Sequence, residues 1–130
     1  MKVTRTRRDT AVFFSLAGRL TVTAETEGVH AAVRGISDGA VRGVFLDLAN
    51  VTWLDCCGIG ELISLRRRVI GAGRAFGLVN VDPNQRSLLE LLCVHAVCRI
   101  YGSRKEAIRS VASPASPRSR TRRVLSVARR

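Results

Sequence analysis

Two kinds of apolar spacing meet at residues 55–58, and that junction restricts what this chain can form. Residues 44–48 (Val-Phe-Leu-Asp-Leu) are apolar and β-branched, which reads as a buried strand. After Gly58, the apolar positions Ile59, Leu62, Ile63 and Val69 fall at the spacing of one helix face. Asp55-Cys56-Cys57-Gly58 therefore sits where a strand ends and a helix begins. Backbone N–H groups are unpaired at such a corner and the helix dipole favours negative charge. It suits an anion, a phosphorylated side chain or a thiolate, and two thiols occupy it.

The same reasoning divides the rest of the chain. Residues 3–7 alternate weakly and predict an edge strand with its arginines in water. Residues 11–17 predict a strand stopped by Gly18, and 24–36 a weaker helix softened by Gly28. A strand is expected over 41–48 and a helix from the cysteine turn to about Ile70, ended by Gly71 and Gly73. Residues 75–79 predict a short buried strand. Asp82-Pro83-Asn84 opens a helix with apolar Leu88, Leu89, Leu91 and Leu92. A brief strand over 97–101 and a helix over 103–112 follow, the latter with Ser103 and Glu106 at capping-box spacing. Strands alternating with helices imply an α/β domain over residues 1–112, with about five strands in one mixed central sheet and about four helices.

Residues 113–130 differ in composition. They are rich in Ser, Pro and Arg, with six arginines and no acid, so half of the net charge of +12 lies there. A disordered basic tail is expected. The remaining domain is only moderately basic and poor in aromatics, which leaves nucleic-acid binding to the tail alone. No apolar run approaches the ~20 residues of a membrane span. Arg5, Arg7 and Arg8 stand where a signal peptide would begin its apolar region, so a cytoplasmic protein is expected.

Cys56, Cys57, Cys93 and Cys98 are expected to be reduced thiols. An adjacent pair cannot easily give both sulfurs to one tetrahedral ion, so no metal is expected. Cys93 and Cys98 are read as core, and no cofactor is expected. Trp53 is assigned to the core or half-core, and Asp47 to support of the Asp55 corner. His30 and His95 have no partner implied by spacing. No nucleophile–base–acid trio and no Gly-x-Gly-x-x-Gly or Walker-type loop is present, so the chain is read as a non-enzyme.

Several segments together resemble the STAS domain, the fold of bacterial anti-sigma factor antagonists. They are Phe13-Phe14-Ser15-Leu16-Ala17-Gly18-Arg19-Leu20, the run through 44–48 and 51–60, Gly77-Leu78-Val79-Asn80-Val81-Asp82-Pro83, and Ile100-Tyr101-Gly102-Ser103. The resemblance implies a regulatory binding module whose partner is a kinase-type anti-sigma factor, with transcription as the output. In that family the turn usually reads Asp-Ser-Ser-Gly and the second serine is phosphorylated. Cys57 holds that place here and Cys56 the first, while Thr21 stands where an acidic residue is frequent. The implied partner face comprises Thr21, Asp55, Cys56, Cys57, Gly58, Ile59, Gly60, Asp82 and Asn84. A serine kinase esterifies a hydroxyl and not normally a thiol, so such a module would be constitutive or redox-gated. Two readings of the cysteines stay open: small fillers in place of serine, or a redox site at a helix start. The resemblance also implies a second role, ranked behind the first: the STAS subunit of an ABC-type lipid or solute transporter. Monomer and homodimer both remain open.

Overall fold

The computed structural model describes residues 2–21 and 26–112; the expected tail, 113–130, and the start of the expected first helix lie outside the described residues. Five strands and four helices follow in the order β1 (Lys2–Arg8), β2 (Ala11–Leu20), α1 (Thr26–Arg34), β3 (Gly43–Leu54), α2 (Cys56–Gly71), β4 (Ala75–Val79), α3 (Pro83–Leu91), β5 (Arg99–Tyr101) and α4 (Arg104–Ala112). A single 3-10 turn, Val94–Ala96, precedes β5.

The sheet runs β1-β2-β3-β4-β5 in space. Only β1 is antiparallel to its neighbour. Its alternating arginines stay exposed at the sheet edge, which discourages pairing with another chain. The central strands read as unbroken apolar runs because both faces are covered. Val12, Phe14, Leu16, Val44, Leu46 and Leu78 point to the face packed by α1, α2 and α3. Ala11, Phe13, Phe45 and Val79 point the other way, onto Ala107 and Val111 of α4. On that smaller face Phe13 stacks on Phe45 with centroids 5.4 Å apart, and Tyr101 meets Phe45 edge-on at 5.6 Å.

Three boundaries differ from expectation in ways that shape the molecule. Gly18 does not stop β2: it adopts φ 111° inside a strand that continues to Leu20. β3 likewise continues past Leu48 to Leu54. β4 pairs with β3 only as far as Asp47, so the last seven residues of β3 project beyond it, paired with β2 alone. In α3, of the four apolar leucines read for this helix, only Leu89 is fully buried, while Leu91 is 77% exposed. The helix ends there, before its apolar face returns to the sheet.

Asp47 does not support the Asp55 corner. It lies 5% exposed at the end of the β3–β4 pairing. There it accepts from the Ala49 N–H at 3.0 Å, Asn80 Nδ2 at 3.1 Å and Arg104 Nε at 2.8 Å, joining β3 to the residue that follows β4 and to α4. Arg104 also lies over the Phe13 ring, 4.8 Å from its centroid. Ser103 caps α4 as expected, its Oγ accepting from Glu106 N, but Glu106 returns its carboxylate to Gly102 N instead of Ser103 N. Removing a buried carboxylate strands the cation it holds. Asp47→Ala is expected to cost about 2–3 kcal/mol in urea unfolding, and Asp38→Ala, whose partner Arg7 is exposed, distinctly less.

Candidate functional site

The corner forms where three chain segments converge. The ends of β2 and β3 run side by side, pairing Arg19 with Trp53 and Leu20 with Leu54, and α2 starts immediately after. Asp55 is the N-cap of α2, in extended geometry, with Oδ1 accepting from the Gly58 N–H at 2.9 Å. Its Oδ2 accepts from Thr21 Oγ1 at 2.8 Å and from Trp53 Nε1 at 3.1 Å. The Gly58 amide, then the Thr21 and Trp53 donors, hold the Asp55 carboxyl below the usual carboxylate range.

Gly58 is required by contact. A Cβ there would lie 2.0 Å from the Leu20 carbonyl oxygen and 2.7 Å from its carbon. The helix start is thus pressed onto the backbone of β2, and Ile59 is buried beside it. Cys56, Cys57 and Gly60 face outward. A Cβ on Gly60 would meet nothing within 4 Å. Both cysteines are exposed free thiols.

Trp53 is not in the core. It is 48% exposed, its indole N–H fixed by Asp55 and its ring covered by the Arg19 guanidinium at 5.2 Å. Simple alternation would place Trp53 with buried Val51. Two register irregularities in the β2–β3 pairing, at Ser15/Ala17 and Gly18/Arg19, break that alternation. The only sequence signal for this was Gly18 inside a strand pattern.

Asp82 and Asn84 are exposed at the start of α3. Asp82 caps that helix in a complete capping box with Gln85. Gln85 Nε2 also donates to the Val51 carbonyl at 3.1 Å, which ties the start of α3 to the projecting part of β3. His30, for which no partner was foreseen, is buried on α1 with Nε2 3.1 Å from Glu61 Oε1 on α2, one turn below Cys57. Cys98 is buried as expected, and burial pushes its thiol up. Cys93 is exposed instead, in a left-handed backbone conformation that turns it out of the core. Among the described residues no three His, Cys, Asp or Glu side chains group as a metal site requires. No helix among them is long and apolar enough to cross a membrane.

A mixed five-stranded sheet, three helices on one face, one on the other, and an exposed helix start after β3 define an α/β domain of the STAS type. The STAS domain family model matches residues 2–107, and the chain belongs to that family. An anti-sigma-factor antagonist (STAS) domain protein from Planctomyces limnophilus superposes with a TM-score of 0.72 at 22% identity, covering 85% of this chain and 98% of that one. An anti-sigma factor antagonist from Mycobacterium paratuberculosis gives 0.70 at 18% identity over 86% of this chain and 94% of its own. A sulfate transporter family protein from Wolinella succinogenes gives 0.63 at 14% identity over 79% and 85%. No curated protein sequence matches the chain significantly.

The two glycines of the corner separate by mutation. Gly58→Ala is expected to destabilise by about 3 kcal/mol, since the clash is with backbone. Gly60→Ala, in open space within α2, is expected to stabilise by about 0.5–1 kcal/mol. Thermal and urea unfolding measure both. Because the Asp55 carboxyl is held low in the folded state, it adds stability above the ordinary carboxylate pKa that is lost as pH falls through the lowered value. Asp55→Asn, which still caps, should flatten unfolding stability against pH below about pH 4.

Proposed function

We propose that this chain is a non-enzymatic anti-sigma factor antagonist, docking a kinase-type anti-sigma factor on the first turn of α2 and so regulating sigma-factor-dependent transcription. One observation carries the reading: α2 exposes Cys56, Cys57 and Gly60 on a turn whose backbone is fixed from beneath by Asp55 and the Leu20–Gly58 contact. Thr21, Asp55, Asp82 and Asn84 complete the face; Gly58 and Ile59 contribute by holding it in shape. Trp53 with Arg19 adds an exposed, oriented aromatic of the kind that anchors protein interfaces.

The thiol at Cys57 leaves the usual phosphoryl acceptor missing. With no hydroxyl at position 57 for a kinase to esterify, constitutive docking is the simpler form and redox gating of the exposed thiol the alternative. A second reading, the STAS subunit of an ABC-type lipid or solute transporter, draws on the shared fold of the Wolinella protein and needs no phosphorylatable hydroxyl. Capture of permease and ATPase subunits in place of an anti-sigma factor would support it.

The test measures affinity of the full chain for a purified anti-sigma factor kinase, with and without ATP and peroxide. The wild type should bind equally in all conditions. Cys57→Glu should bind at least about tenfold more weakly, and Trp53→Ala about tenfold more weakly. Cys57→Ser should become phosphorylated and release on ATP addition. Peroxide-dependent loss that vanishes in Cys57→Ser would establish redox gating instead, and undiminished binding by Cys57→Glu would remove the α2 corner from the interface.

A further inference from the structure

At the other end of α2 the molecule has a cavity of about 220 Å³. Val44 of β3 forms its floor, Val33 and Ile36 line the α1 side, and Val69 lines the α2 side. All four side chains are buried, at 1–6% exposure. Three arginines complete the lining: Arg34 from the last turn of α1, Arg68 from α2, and Arg74 from the loop before β4. No carboxylate is among the lining residues.

The arginines are held differently. Arg74 donates Nε to the Val41 carbonyl at 3.1 Å and one terminal N–H to the Asp38 carbonyl at 3.1 Å, which fixes its plane. The nearby Asp38 side chain is engaged by Arg7 and by the Ala40 N–H. The side chains of Arg34 and Arg68 make no hydrogen bond or ion pair with any other described residue, and both are exposed. Three arginines with no acid among the lining residues leave a local excess of positive charge that a bound anion offsets. An apolar floor under such a rim fits a molecule with one anionic and one apolar end.

We propose that this cavity is a binding site for a small organic carboxylate with an apolar body, independent of the docking corner. Guanidinium forks match a carboxylate with paired hydrogen bonds, while the valines and Ile36 take the body. Size limits the body: a cavity of about 150 Å³ holds benzene, so this one takes a ligand of roughly six to eight carbons. Arg68 stands twelve residues beyond Cys56 in α2, about 18 Å along the axis at the helical rise. The two sites therefore do not overlap.

The probes are hexanoate, 1-hexanol and acetate, titrated into the full chain at fixed ionic strength with methyl NMR as readout. Hexanoate should shift the Val44 and Val69 methyl signals in a saturable way. Hexanol, lacking the charge, and acetate, lacking the body, should each bind at least about tenfold more weakly. The double variant Arg34→Ala, Arg68→Ala should lose about tenfold in hexanoate affinity with an unchanged thermal midpoint in ligand-free buffer, because both side chains are exposed. Equal binding of hexanol and hexanoate, static Val44 and Val69 methyls, or wild-type affinity in the double variant would each overturn the proposal. Cys57→Glu should leave hexanoate affinity unchanged, so loss of this site and loss of the docking face are read separately.

Discussion

The Asp55 carboxylate accepts hydrogen bonds from three places at once: the Thr21 hydroxyl at the end of β2, the Trp53 indole near the end of β3, and the Gly58 amide in the first turn of α2. Each bond alone is worth little in an exposed setting. Together they fix where two strands stop and where the helix begins. The arrangement requires an ionised Asp55, since all three partners donate to it. It also gives Thr21 a role that an acidic residue could not fill, because two carboxylates would repel there. With Gly58 seated against the Leu20 carbonyl, the helix start has no freedom to slide.

That constraint accounts for what the sequence made legible. The change from strand to helix spacing at 55–58 located α2 and its cap, because both signals are local: an Asx N-cap and a run of Ile59, Leu62 and Val69. The β4 strand and the helix start at Asp82-Pro83 are readable for the same reason, while the capping box that Asp82 forms with Gln85 is seen only in the structure. The misreadings share a different cause, which is pairing over distance. Trp53 follows Val51 by two residues and should share its face, but the irregular β2–β3 register turns it outward. Asp47 lies eight residues before Asp55, and sequence proximity alone ties it to that corner. Yet β4 leaves β3 at that residue, and Asn80 and Arg104 arrive from far along the chain to hold the carboxylate.

Helix α3 shows the same limit on its apolar side. Leu88, Leu89, Leu91 and Leu92 suggest a wide buried stripe, while the structure buries Leu89 alone completely. The helix stops at Leu91 and Cys93 takes a left-handed conformation, so the chain turns before the stripe meets the sheet again. Periodicity reports which residues share a face. It does not report how far the neighbouring layer extends, and here the sheet extends only to the three residues of β5.

On the proposed reading, a sulfur stands at position 57 where a docking module of this kind would carry a hydroxyl oxygen, and the physical consequence is narrow. A thiol fits the outward position at small steric cost, and the backbone of the turn depends on Asp55 and Gly58 rather than on the side chain at 57. The shape presented to a partner is therefore kept while the hydroxyl chemistry of a kinase substrate is removed. On the proposed reading, the fixed turn and the missing acceptor act together. A docking surface whose geometry is set by a carboxylate and a backbone contact, and which takes on no phosphoryl charge, remains competent for as long as the protein is folded. Control would then pass to how much of the chain is present, or to whatever competes for the same face.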